Sequence, residues 1–189
     1  GINAEYGVVM PPKVDPNSEF DIYLRVRGGV VLPAQTIAPK VGPYGLPPKM
    51  VGDKILEATG AYKGVKVSIK LHSKARQPTI FILPTASSQI IKALAEGARS
   101  IPKGQPLKHS GAISFENVLA IGKSLRFKSY SLKFAGTVCE ILGTCNSIGC
   151  SVNYKGQTYK PAEVIEKIHN NEIEIEDYEV DKATWKMDL

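Results

Sequence analysis

The residue types most used for proton transfer and metal ligation are sparse in this sequence. His72, His109 and His169 stand near no carboxylate-and-nucleophile set, and Cys139, Cys145 and Cys150 lack the paired spacing of a zinc site or a disulfide framework. On a helix Cys139 and Cys145 project about 120° apart and do not converge on one ion. No glycine-rich phosphate loop is present. Chemistry of another kind is concentrated between Thr137 and Gly149, where Glu140, Gly143, Thr144 and Ser147 recur at three- and four-residue spacing. Hydroxyls donate and accept without fixed charge, and a glycine lets a partner reach the backbone. Such a set suits non-covalent recognition of a large, flat, hydrogen-bonding partner. It implies a binding protein rather than an enzyme, with no cofactor and no metal.

The element that must carry these residues is a helix. Val138, Ile141, Leu142, Cys145 and Ile148 form one apolar stripe, and at about 100° per residue the small polar set lies roughly opposite. A glycine inside a helix costs about 1 kcal/mol relative to alanine, so Gly143 needs a reason. Either a partner comes close to the backbone there, or a second helix packs against it.

Charge bears on the kind of partner. The 189 residues carry a net charge of +6, yet from Glu172 onward there are seven acidic residues against two lysines. The body of the chain is therefore more basic than the total, which favours a polyanionic partner. No apolar run reaches the length of a membrane span, no basic-then-apolar leader opens the chain, and Glu5 stands where a myristoylation signal needs Ser or Thr. Unpaired cysteines point to a reducing compartment.

The chain divides into an extended arm (1–19), an α/β domain (20–83), a helical domain (84–153) and a tail helix with an acidic end (154–189). Phe20–Arg27 alternates as a half-buried strand, Val65–Leu71 alternates strictly, and Thr79–Leu83 supplies a third strand, antiparallel to the second. Between Val31 and Pro48 the five prolines read as a rigid, shaped loop, followed by a helix from Pro47 or Pro48 to about Thr59 with Met50, Val51, Ile55 and Ala58 inward. Thr85 is expected to cap a helix to about Glu96 that buries Ile90, Ile91 and Leu94, and Ser114 one that buries Phe115, Val118, Leu119 and Leu125. Lys123, Arg126 and Lys128 make the end of that helix basic, as Arg99, Lys103 and Lys108 do the Gly97–Gly111 loop. A last helix begins near Pro161, and the acidic stretch beyond Asn171 is expected to be mobile. The fold class is α+β: a three-stranded sheet with a helix and a proline-rich loop, then an all-helical domain.

Three motifs, in order and spacing, resemble one family. Ala38-Pro39-Lys40-Val41-Gly42-Pro43 with Gly45-Leu46, Lys108-His109-Ser110-Gly111, and Gly143-Thr144 with Ser147-Ile148-Gly149 are similar to the L-eleven family of large-subunit ribosomal proteins, from about Met10 to Val152. Pro39-Lys40, where bacterial members carry two prolines, resembles the eukaryotic cytosolic type, and so does a tail helix reaching about Asn171. The resemblance implies binding of large-subunit rRNA at the GTPase-associated centre, beside a stalk-base protein and the acidic stalk proteins, on the cytosolic ribosome as a monomer. It implies RNA contacts at Gly143, Thr144, Ser147, Gly149, Lys108, His109 and Gly111. Lys103, Arg126 and Lys128 add cationic charge by their position. It also implies that Pro39, Lys40, Gly42 and Pro43 meet stalk-base protein and, transiently, translation elongation factors. Relatives resemble the chain only from Met10, so residues 1–9 are either a genuine extension or sequence upstream of an initiator at Met10, whose removal exposes Pro11-Pro12-Lys13, similar to an N-terminal methylation substrate. An accessory, non-stoichiometric ribosome-associated RNA-binding module is the alternative.

If the Gly97–Gly111 loop touches phosphates, replacing Lys103 and Lys108 by alanine flattens the slope of log affinity against log salt by roughly 0.7–0.9 for each phosphate no longer neutralised. An unchanged slope in a salt titration removes the loop from the interface.

Overall fold

In the computed structural model, residues 18–96 and 109–180 are described. The expected arm over 1–19, Met10 as a start, and the Lys103 and Lys108 contacts lie wholly or largely outside them. Two separate hydrophobic cores organise the chain, one from Ile22 to Leu71 and one from Ile90 to Ile173.

In the first unit, β1 (Phe20–Arg27), β2 (Lys66–Lys74) and β3 (Gln77–Leu83) form an antiparallel sheet in that order. Alternation puts Ile22, Leu24, Val26, Val67, Ile69 and Leu71 on one face, where α1 (Ala34–Val41) and α2 (Pro48–Ala58) cover them. The expected proline-rich loop is thus corrected to a helix followed by a 3-10 turn over Gly42–Tyr44. Pro33 precedes α1, Pro43 opens the 3-10 turn and Pro48 opens α2, all places where no helical N–H is needed; only Pro39 is interior. Ile37 and Val41, one turn apart, hold α1 to the sheet. In α2, Val51 and Ile55 are buried as expected, whereas Met50 is exposed and Thr59 is buried at the C-terminal end, its hydroxyl donating to the Ile55 carbonyl at 2.7 Å.

The second unit is built on α3 (Ala86–Leu94), α4 (Phe115–Leu125), α5 (Phe134–Ile148) and α6 (Pro161–His169). It also contains β4 (Ala112–Ser114), β5 (Ser151–Tyr154) and β6 (Gln157–Tyr159), with β4 parallel to β5 and β6 antiparallel to it. The expectation of an all-helical second domain is corrected to that extent. Ser114 caps α4 through the Asn117 N–H at 3.3 Å, as its position predicts. Thr85 does not cap α3 in this way: its hydroxyl donates to Ser88 Oγ at 2.7 Å. Phe134 lies against Gly122, where a Cβ would stand 3.3 Å from the ring, so α4 and α5 approach closely at the start of α5.

Residues 154–180 belong to this second core rather than to a tail. Val164 and Ile168 of α6 are buried in it, and so is Ile173. Past Asn171, Asp177 and Tyr178 also contact the start of α5. Asp177 Oδ1 accepts the Phe134 N–H at 2.9 Å, and the Tyr178 ring meets Phe134 edge-on at 5.7 Å. The Lys133 side chain at the N-cap makes no capping bond, so a carboxylate from the far end of the chain performs the capping of α5.

That bond holds the Asp177 carboxyl below the usual aspartate range, with the Phe134 N–H the largest cause. A lowered folded-state value means stabilisation present above the unfolded value and lost as pH falls through the folded one. Asp177→Ala therefore lowers the thermal midpoint at neutral pH, and the difference from wild type shrinks below about pH 4. A calorimetric series across pH checks it; a gap that stays constant into acid contradicts the capping role.

Candidate nucleic-acid interface

Burial of Val138, Ile141, Leu142, Cys145 and Ile148 turns the opposite side of α5 outward, as the sequence predicts. Glu140, Gly143 and Ser147 are exposed and Thr144 is half-buried, its hydroxyl donating to the Glu140 carbonyl at 3.1 Å and leaving its lone pairs outward. Around Gly143 there is open space: a Cβ built there meets nothing within 4 Å. Among the described residues no helix packs on it, so the internal helix–helix alternative does not account for the glycine.

The other glycines of the motifs separate on the same test. Gly149 ends α5 in the left-handed conformation (φ 92°), its N–H bonded to the Cys145 carbonyl, so backbone geometry requires it. Gly111 is required by crowding, because a Cβ would lie 2.7 Å from Glu96 Oε1 and 3.3 Å from Leu94 Cδ2. Gly42 resembles Gly143. It has right-handed φ (−57°) and empty space at its Cβ position. With exposed Pro39, Lys40 and Pro43 it makes an outward ridge along the end of α1 and the 3-10 turn.

Two expected contacts are corrected. His109 is buried (9% exposed), with Nδ1 2.5 Å from Glu96 Oε2 and its backbone N–H donating to the Ile148 carbonyl at 2.9 Å. Glu96 also accepts the Gly111 N–H at 2.7 Å. His109 and Gly111 thus clasp the end of α3 to the end of α5, and the buried His109 ring offers no surface. Arg126 is 2% exposed. Its Nη1 donates to the Ser131 carbonyl (2.8 Å) and Thr137 Oγ1 (3.2 Å), its Nη2 to the Leu132 carbonyl (2.9 Å), and its Nε to the Tyr178 carbonyl (3.1 Å). Glu179 pairs with it at 3.2 Å. A guanidinium occupied this fully is structural and is not presented to a polyanion. Lys128 Nζ donates to the Pro84 carbonyl at 2.5 Å, and desolvation holds its amine below the usual lysine range.

The cysteines are packing residues. Cys145 and Cys150 are buried, with Cys150 Sγ donating to the Cys145 carbonyl at 3.6 Å, and burial pushes the Cys139 thiol up. Among the described residues no group of three His, Cys, Asp or Glu is placed to hold a metal, and no helix is long and apolar enough to cross a membrane.

A face of small hydroxyl-bearing residues on a buried-backed helix, in a two-core α+β chain, defines a recognition module rather than a pocket. The profile described as "Ribosomal protein L11, N-terminal domain" matches residues 22–77, and "Ribosomal protein L11, RNA binding domain" matches 82–152. The chain belongs to the ribosomal protein L11 family, and α5 falls inside the family's RNA-binding domain. It is 45% identical over 166 residues, 88% of this chain and 98% of the relative, to "Large ribosomal subunit protein uL11" of Neurospora crassa. The uL11 protein of Dictyostelium discoideum is 46% identical over the same share of each chain. The uL11x protein of Arabidopsis thaliana is 43% identical over 167 residues, again 88% of this chain and 98% of the relative.

The glycine test predicts opposite signs for two alanine substitutions. Gly143→Ala raises stability by up to about 1 kcal/mol, the helix propensity gained with nothing displaced. Gly111→Ala lowers it, by about 1–3 kcal/mol, because the methyl forces Glu96 off its bonds. Urea denaturation of both variants checks this, and a destabilised Gly143→Ala would show an internal contact at that position.

Proposed function

We propose that this protein is a structural constituent of the large subunit of the cytosolic ribosome, binding rRNA of the GTPase-associated centre through the Glu140–Ser147 face of α5. The observation that carries this reading is Gly143, an exposed mid-helix glycine with ordinary helical geometry and no internal neighbour. Within a family RNA-binding domain, the partner that best suits so open a backbone is the sugar–phosphate surface of folded RNA. Such RNA is recognised largely by shape, through 2′-hydroxyl and phosphate contacts on a wide shallow groove. Gly143 admits the RNA to the helix, while Thr144 and Ser147 meet the 2′-hydroxyls. Lys103 and Lys108 supply salt-dependent attraction.

The exposed ridge of Pro39, Lys40, Gly42 and Pro43 is the surface for a stalk-base ribosomal protein, close to the acidic stalk proteins, and for passing elongation factors. Exposed Gly42, with open space at its Cβ position, supports a close partner there. The protein then supports translational GTPases by positioning, as one bound copy and without chemistry or cofactor of its own.

Gly143→Ala in the full chain is expected to weaken binding to a transcript of the GTPase-associated rRNA by roughly 5- to 100-fold, the effect of about 1–3 kcal/mol of overpacking at a close contact. Filter binding reads this directly, and unchanged affinity refutes the close approach. Sedimentation of washed ribosomes separates the alternatives: one copy per large subunit after high salt fits a constituent, and loss at moderate salt fits an accessory factor.

A further inference from the structure

Between α4 and α5 the loop Ser129–Lys133 is held more tightly than its exposure requires. Arg126 grips the carbonyls of Ser131 and Leu132 from beneath, at 2.8 and 2.9 Å. The Ser131 N–H donates to Ser129 Oγ at 3.2 Å, and Ser131 Oγ donates to the Lys133 carbonyl at 2.7 Å. The loop also presses on the first turn of α5, where a Cβ on Gly136 would lie 2.0 Å from Ser131 Oγ. Yet its two large side chains point away from all of this: Tyr130 is 100% exposed and Leu132 91%. An aromatic ring in water on an anchored backbone is preorganised for a partner, since little conformational freedom remains to be lost on binding.

The loop adjoins the polar face of α5. Ser129 Oγ donates to Glu140 Oε1 at 3.0 Å and accepts from Thr137 Oγ1 at 2.9 Å, which sets Tyr130 beside the helix about one turn before Gly143. Exposed Lys133 flanks it on one side, and on the other stands Lys128, whose Nζ donates to the Pro84 carbonyl. The nearby carboxylates are engaged within the protein: Glu140 with Ser129, Asp177 with the Phe134 N–H, Glu179 with Arg126. An aromatic ring between lysines, continuous with a face for RNA, matches the platform on which unpaired bases stack.

We propose that Tyr130 is a further RNA-contacting residue, stacking on an unpaired base beside the segment that lies on Gly143, Thr144 and Ser147, with Leu132 extending the apolar platform. This rests on the RNA reading of the α5 face. Arg126 is then a positioning residue: buried itself, it sets the backbone from which Tyr130 projects.

The test uses the full chain and a transcript of the GTPase-associated rRNA. Tyr130→Ala is expected to weaken binding by roughly 5- to 100-fold, the range of a single base–aromatic stack, with an unchanged salt slope because every phosphate stays neutralised as before. Tyr130→Phe keeps wild-type affinity. Tyr130→Trp, in a Trp185→Phe background that removes the native tryptophan, shows fluorescence quenching on RNA addition. Since Tyr130 is fully exposed, Tyr130→Ala and Tyr130→Phe keep the wild-type thermal midpoint, and Tyr130→Trp keeps that of its Trp185→Phe parent. Wild-type affinity of Tyr130→Ala alongside weakened Gly143→Ala overturns the stacking proposal and leaves the α5 reading standing. Wild-type affinity of both overturns that reading as well. Normal RNA binding by Tyr130→Ala with reduced incorporation into ribosomes assigns the loop to a protein partner and also overturns the proposal.

Discussion

Everything functional in the second half of the chain depends on burial of one apolar stripe. Val138, Ile141, Leu142, Cys145 and Ile148 lie against α3, α4 and α6, and three of them are fully inaccessible. Burying side chains of that size contributes about 1.5–3 kcal/mol each, far more than the roughly 1 kcal/mol that Gly143 costs the helix. The core can therefore carry a helix whose outer face is poor in helix formers. Its orientation is set from within, and the face turned outward is left to recognition. The same stripe ends at Ile148, whose carbonyl takes the His109 N–H, so the helix that presents the face also holds His109.

Two kinds of glycine result, and the distinction gives the site its outline. Gly149 ends α5 in a left-handed cap, and Gly111 is crowded by a carboxylate. Gly143 and Gly42, like Gly60, have neither a left-handed φ nor a neighbour at the Cβ position among the described residues, and both are exposed. One lies on α5 and the other at the end of α1, in separate units with separate cores.

Periodicity made the sheet and the α5 stripe legible in the sequence, because alternation and three-to-four spacing survive wherever one face is buried. Proline density hid α1: the Ile37–Val41 spacing was the available signal, and the prolines that masked it mostly sit where a helix tolerates them. The strands of the second unit have three or four residues, too short to show a period. Charge misled twice. Arg126 reads as a surface cation but is the buried clamp of a loop, and the acidity of the tail obscured Ile173 and Ile175, whose alternation draws the chain back to the core. His109 was misplaced because its carboxylate, Glu96, comes from another element, a pairing only the fold reveals.

On the proposed reading the outward face of α5, and not its neighbours, lies on RNA. Directed hydroxyl-radical cleavage tests this most directly, with an iron chelate attached at Asn146→Cys, beside the face, or at Glu166→Cys on α6, which packs on the other side of α5. A Cys139→Ser background removes the half-buried native thiol. The account predicts strong cuts confined to one segment of the bound rRNA from position 146 and none from position 166. Equal cleavage from both, or cleavage from position 166 alone, would contradict it.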